Sequence, residues 1–271
     1  MAVMLAGIVA TSGNWPPSMK RRSRRILLTA ASAYALLVCN AAAQEPCKLT
    51  AAGSANVVAV RDGRTLLLGD GRELRLAAIE VPDDSRAALQ ALVAGRPLRL
   101  ERLGPEQDRY GRLVAFAFIG DAKESLQQAM LEQGRARVAM RVGSKACADA
   151  LLGAENKART ARRGLWADPN FAPLSAENLT GLQAARGRFA LVEGKVLSVR
   201  ESGATIYVNF GRRWTRDFTV TILRRLRREF AVAGIEPKML AGRRIRVRGW
   251  VEQRAGPVIA AEAPEQIELL N

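Results

Sequence analysis

The chain has 271 residues, enough for one or two domains, and 48% of them are hydrophobic, enough for real cores. Its formal net charge is +16, which points to polyanions or anionic surfaces as partners, with a soluble basic surface as the plain alternative. There is no histidine, so Ser-His-Asp and Cys-His catalysis and all His-ligated zinc or iron sites are excluded.

In chain order, the stretch MKRRSRRILLTAASAYALLVCNAAAQ, beginning at Met19, has a basic start, an apolar run over 26–38 and the small residues Ala41, Ala42 and Ala43. This is the layout of a cleaved secretory signal over 1–43, with Met19 as an alternative start. The apolar run is short for a bilayer span. Cys39 offers lipidation as a second reading, although Val38 before it is larger than a lipobox normally accepts. The chain is therefore expected to be exported, to the periplasm or the medium. From Gln44 onward two cysteines remain, Cys47 and Cys147. In an exported chain they fit a disulfide better than a metal pair.

Strands are predicted over 56–61, 64–69 and 72–79, with Asp70-Gly71 as a tight two-residue hairpin turn. A short helix follows over 85–94, then a strand over 97–104 and a turn-rich loop, PEQDRYGR. The run LVAFAFI reads as a strand, 124–133 as a helix that Gly134 stops, and ARVAM as a short strand. A longer helix spans 147–163. A five-stranded barrel with inserted helices is the natural architecture. The stretch 169–187 reads as a linker. Beyond it, GKVLSVRES, ATIYVNFG and DFTVTILRR alternate with period two, and a helical stretch covers 224–233. RRIRVRGWV and PVIAAEAPEQIELL then close a second small barrel of oligonucleotide-binding (OB) type. From Gln44 to Ala185 there are 20 basic and 17 acidic residues, and from Arg186 onward 17 and 9. The basic excess therefore lies mostly in the second unit. No transmembrane span is read.

Three segments carry a resemblance to a known family: VRDGRTLLLGDGRELRLAAIEVPD, DRYGRLVAFAFIGDAKESLQQAMLEQGRARVA and ENKARTARRGLW. Together, over about 54–168, they resemble the staphylococcal nuclease (thermonuclease) family. The resemblance implies a nuclease-type OB barrel over 44–168; with the OB-like barrel read from strand alternation over 188–271, after the 169–187 linker, the fold expected is mainly β with helices (α+β). It also implies calcium-dependent phosphodiester hydrolysis on DNA or RNA. In that family a carboxylate pair holds the metal, a glutamate activates water and two arginines hold the phosphate. Carried over by position, Arg75 and Arg112 are the arginines, Asp83 stands for the base and Glu80 for one metal carboxylate. Arg64 occupies the place of the other metal carboxylate, where DGDT has become DGRT. Val81 stands where a threonine is usual.

Calcium takes six to eight oxygens. A guanidinium in place of a carboxylate removes an oxygen and adds a repelling charge, so the calcium site is expected to be weak or absent. Arg64, Arg75 and Arg112 could then bind a phosphodiester with or without cutting it. Asp83 or Asp84 would have to orient water. Both acids could equally cap the following helix, and Arg75 could pair with Glu80 or Asp62. In the second unit Arg244, Arg246, Arg248 and Trp250 share one face of a strand, and Arg212, Arg213 and Arg216 surround Trp214. Arginines among aromatics suit single-stranded DNA or RNA, although both tryptophans could simply pack. Three functional readings follow: a nuclease, a nuclease-like module that binds without cutting, or an envelope protein using both barrels for protein contacts.

Overall fold

The computed structural model describes residues 47–104 and 107–270, apart from the side chain of Asp83. The expected leader over 1–43, with Met19 and Cys39, lies outside the described residues.

The first half is a closed barrel. β1 (Thr50–Val60), β2 (Thr65–Leu68), β3 (Glu73–Leu76), β5 (Pro97–Arg102) and β6 (Leu113–Ile119) close in the order β1-β2-β3-β6-β5. The β3–β6 pair is parallel and the other neighbours are antiparallel. Period-two leucines make this possible: Leu66, Leu68, Leu74, Leu76, Leu98 and Leu100 all turn inward and are nearly inaccessible. β1 pairs on both sides and shifts register between Ala51 and Gly53 and again between Val57 and Ala59. Bulges of this kind add the bend that closes a small barrel.

The β2–β3 turn is one residue longer than the two-residue turn expected. Leu68 N donates to Arg72 O, Gly71 N donates to Leu68 O, and Gly71 alone takes positive φ (85°). This is a three-residue loop with a left-handed glycine at its end. The Asp70 carboxylate accepts from the Arg72 backbone N at 3.0 Å and caps the turn.

α1 (Arg86–Val93) covers one rim with Leu89 and Val93. α2 (Leu126–Glu132) begins at a Ser125–Gln128 capping box, and α3 (Lys145–Thr160) at Ser144. Buried Gln127 on α2 donates to Ala115 O and accepts from Ala117 N, pinning the helix to the β6 backbone and satisfying its own buried amide. The Cys47–Cys147 disulfide ties the start of the described chain to α3. β4 (Ile79–Glu80) and β7 (Arg137–Val138) form a small separate ladder, pairing Glu80 with Arg137. The chain reaches β4 from β3 through Ala78 at φ 62°, a left-handed conformation that costs a non-glycine residue about 1–2 kcal/mol.

The stretch expected as a linker is structured. It carries β8 (Leu174–Ser175) and α4 (Leu179–Ala184), the latter capped by Asn178, and Leu182 joins the second core. That core sits among β9 (Phe189–Lys195), β10 (Ser198–Ser202), β11 (Thr205–Asn209), β12 (Thr219–Leu223), β13 (Arg244–Trp250), β14 (Glu252–Gln253) and β15 (Pro257–Ala261). α5 (Arg227–Val232) lies between β12 and β13. One sheet runs β10-β11-β12-β15-β14, and β13 pairs with β9. β9 leads into β10 and β13 into β14 across short breaks, so the neighbours repeat the order of the first barrel, with the parallel pair now β12–β15. The final run, expected as one strand, is broken at Pro264, and β16 (Ile267–Leu270) adds to the outside of β13.

Residues Gln44–Asn271 form one compact unit, so the halves meet directly. Phe189 and Leu191 of β9 pack with Ala158, Leu165 and Trp166.

Candidate functional site

Gly63 lets the loop before β2 approach the chain after β4. A Cβ on Gly63 would lie 2.8 Å from Ser85 Cβ and 3.0 Å from Val81 Cγ2. The Asp62 carboxylate accepts from Arg64 backbone N at 2.8 Å and shapes the same loop. Together these aim Arg64 at β4. Its Nη1 donates to Glu80 Oε2 at 2.7 Å and to Ile79 O at 3.0 Å. Arg64 and Glu80 are largely shielded, with 21% and 24% of their side-chain surfaces open.

Arg112 ends a turn of the same kind as that after β2, with Gly111 at φ 76°. Asp108 Oδ2 accepts from Arg112 Nε at 2.8 Å and Nη2 at 2.6 Å, a two-pronged pair. Desolvation works to raise the Asp108 carboxyl pKa. The Arg112 fork and the backbone N–H groups of Tyr110 and Arg112 outweigh it and hold the group below its ordinary value. Exposed Tyr110 stands between Arg109 and Arg112, with each guanidinium about 5 Å from the ring centre (4.8 and 5.0 Å).

Arg75 lies on β3 and is half-buried. The salt bridge to Glu80 or Asp62 considered from sequence is not formed, because Arg64 takes Glu80. Among the described residues the Arg75 side chain makes no hydrogen bond or ion pair, while its backbone pairs within the sheet. Its guanidinium pKa is lowered first by burial and then by the positive charges of Arg64 and Arg112, with Glu80 and Asp62 opposing. Three cations therefore converge, and the central one has no direct anionic partner among the described residues. Asp84 is exposed. The side chain of Asp83, expected as the base, lies outside the described residues. Among the described residues no three of His, Cys, Asp or Glu gather closely enough to hold a metal ion.

These features belong to a recognisable lineage. The sequence profile described as "Staphylococcal nuclease homologue" matches residues 75–168. An Escherichia coli O157:H7 protein called "Uncharacterized endonuclease" is 30% identical over 127 residues, 43% of this chain and 79% of that protein. The chain belongs to the staphylococcal nuclease homologue family. An Escherichia coli protein named "Protein ParB" is 33% identical over 168 residues, covering 56% of this chain and 90% of its own length. Arg75 on β3, the Arg112 turn and α3 fall inside the matched segment, and membership of this family supports a nuclease-like function.

The arginine track expected on β13 is divided, and two of its members need correction. Arg244 is exposed and Trp250 is half-exposed, with Trp250 standing edge-on to Phe189 at 6.2 Å between ring centres. Arg246 is buried between its cross-strand neighbours, donating to Glu193 at 2.7 Å and Glu268 at 3.0 Å. Arg248 is fully inaccessible. It forks onto Glu155 of α3, with both bonds at 2.9 Å, and donates to Glu268 at 2.7 Å and to Val138 O at 3.1 Å. Neither guanidinium is open to a phosphate. Burial works to lower the Arg248 pKa, but Glu155 and Glu268 more than reverse it. Glu268 is held below its ordinary value by Arg248 and Arg246 against the opposing effect of burial.

The network reaches back to the first site. Glu155 Oε2 accepts from Val138 N at 2.6 Å, next to the Arg137–Glu80 pair of the small ladder. Arg137 donates to Phe189 O at 2.8 Å, and burial pushes its pKa down to about 10, still protonated at neutral pH. Trp214 is 69% exposed on the β11–β12 loop, beside exposed Arg212, Arg213 and Arg216. Sequence reasoning missed Glu155, Glu193 and Glu268. For Glu193 and Glu268 the available signal was an acid set singly into the apolar runs of β9 and β16. Among the described residues, no helix is long and apolar enough to cross a membrane.

Proposed function

We propose that this exported protein binds the phosphodiester backbone of nucleic acid at the arginine cluster of the first barrel, using Arg75 with Arg64 and Arg112, and that it does so without calcium. The observation that carries the reading is Arg75: a half-buried guanidinium between two other arginines, with no ion-pair partner among the described residues. A phosphate oxygen would restore the balance that burial and like charge disturb. The Arg64–Glu80 pair supports the second part of the reading. A dication would have to compete with a guanidinium already bonded to the carboxylate it needs, so the residues present do not suit calcium. The leader pattern and the Cys47–Cys147 bridge support export.

On this reading, calcium-dependent hydrolysis is lost or slow. Three fixed cations could still stabilise charge on a phosphoryl transition state, so slow cutting without metal would be consistent with the site. The test is a cleavage and binding assay on purified mature protein. Labelled single-stranded DNA and RNA are incubated with calcium, with other divalent ions and with chelator. Binding that survives chelation, with cleavage that calcium does not stimulate, is expected. Rapid calcium-dependent cleavage by the wild type would refute the proposal.

A further inference from the structure

The outer face of the β10–β11 hairpin carries a groove of about 630 Å³. Its floor follows from register. Ser198, Arg200 and Ser202 alternate outward on β10, opposite Asn209, Tyr207 and Thr205 on β11, while Ile206 and Val208 turn into the core. Arg200 and Tyr207 are therefore direct cross-strand neighbours, and small serines flank the arginine. Trp214 and Arg212 complete the groove from the β11–β12 loop. That loop is held by Asp217, whose carboxylate accepts from Arg213 N at 2.8 Å and leaves no room for a side chain at Gly211, where a Cβ would fall 2.1 Å from it. Tyr207 is 36% exposed and Trp214 is 69% exposed, and the two rings do not stack on each other. Among the described residues, neither Arg200 nor Arg212 has a carboxylate partner. This contrasts with Arg246 and Arg248, which are both paired with carboxylates.

We infer that this groove is a second nucleic-acid site, which takes an unpaired strand by stacking bases on Tyr207 and Trp214 and holding phosphates with Arg200 and Arg212. Exposed rings beside uncommitted arginines match a single strand in both of its chemistries, apolar base face and anionic backbone. A duplex offers only the second, because its bases are stacked internally. An acidic protein segment offers charge without a series of flat faces. The site is separate from the arginine cluster, though it rests on nucleic acid being the partner proposed above. Occupying both sites with one strand would raise the effective concentration of the strand at the cluster.

The probe is a short labelled oligothymidylate, titrated while tryptophan emission and anisotropy are followed. Quenching is expected in the wild type and in Arg75→Ala, and Trp214→Ala should lose most of it. Trp214→Ala and Tyr207→Ala should each weaken binding about tenfold, while Trp250→Ala should change it little. Arg200→Ala and Arg212→Ala should each reduce the salt slope of binding by about 0.7. The four groove residues are exposed, so unchanged circular dichroism and melting temperature should accompany the loss. The inference is overturned if Trp214→Ala and Tyr207→Ala bind as the wild type does. It is equally overturned if a duplex of the same length, heparin or polyglutamate quenches as strongly as the single strand. Binding that Arg75→Ala abolishes and Trp214→Ala leaves intact would overturn this site while sparing the arginine cluster. No oligonucleotide binding at all would overturn both.

Discussion

Replacing Arg64 with aspartate tests the metal side of the site. At about 4 Å between charge centres and an effective dielectric of about 20, the Arg64–Glu80 attraction is about 4 kcal/mol. About a fifth of each side chain remains open, 21% and 24%, so screening and side-chain ordering reduce the net to about 1–2 kcal/mol. A calcium ion about 5 Å from the guanidinium would meet a repulsion of about 7 kcal/mol, an upper bound because the side chain can swing away. Even about 3 kcal/mol of it corresponds to two powers of ten in affinity. Arg64→Asp removes that repulsion, frees Glu80 and adds an oxygen ligand. Calcium affinity by titration calorimetry should rise at least about 100-fold. Without calcium the variant should melt below the wild type, because new carboxylate repulsion replaces an ion pair, and calcium should restore the loss. Hydrolysis of a labelled oligonucleotide should become stimulated by calcium. If wild type and variant bind calcium equally, Arg64 is not what governs the site.

Other expectations concern the buried ion pairs and the disulfide. Arg248→Ala leaves Glu155 buried without its partner, so stability in urea should fall by about 3–5 kcal/mol. The paired change Arg248→Met with Glu155→Met should cost much less. Glu268 has a folded-state pKa below its ordinary 4.5, so its contribution is full above that value and fades as the pH drops through the lower folded value. Urea midpoints should therefore fall with acid below about pH 4.5, and Glu268→Gln should flatten that slope. The Cys47–Cys147 bridge spans 100 residues. Its reduction should cost about 5 kcal/mol in the loop-entropy account, read as a lower unfolding midpoint in reductant.

Much of the barrel was legible because leucines at period two can face only one way. The sequence alone gave no such cue for the start of β1. TAAGSAN is made of small and polar residues that stay exposed or half-exposed, and its strand form depends on the β5 partner it meets. The Asp70-Gly71 signal located its turn but not its length, since only the hydrogen bonds to Arg72 and Leu68 distinguish two residues from three. Arg64 drew notice because a cation stood at a carboxylate position, and its target Glu80 was already among the candidates. Arg246 and Arg248 misled for a physical reason. A strand pattern tells which residues share a face and says nothing of what covers that face. Glu193 lies 53 positions from Arg246, and Glu155 lies 93 from Arg248. The first pairing is set by the β9–β13 register and the second by how the halves dock.

The most direct test of the central claim is the affinity of the mature protein for a labelled single strand in chelator and in millimolar calcium, for wild type and Arg75→Ala. The account predicts equal affinities in the two buffers. It also predicts a loss of about 2 kcal/mol, roughly 30-fold, in the variant at the arginine cluster. Binding that appears only with calcium, or that Arg75→Ala leaves unchanged, would contradict it.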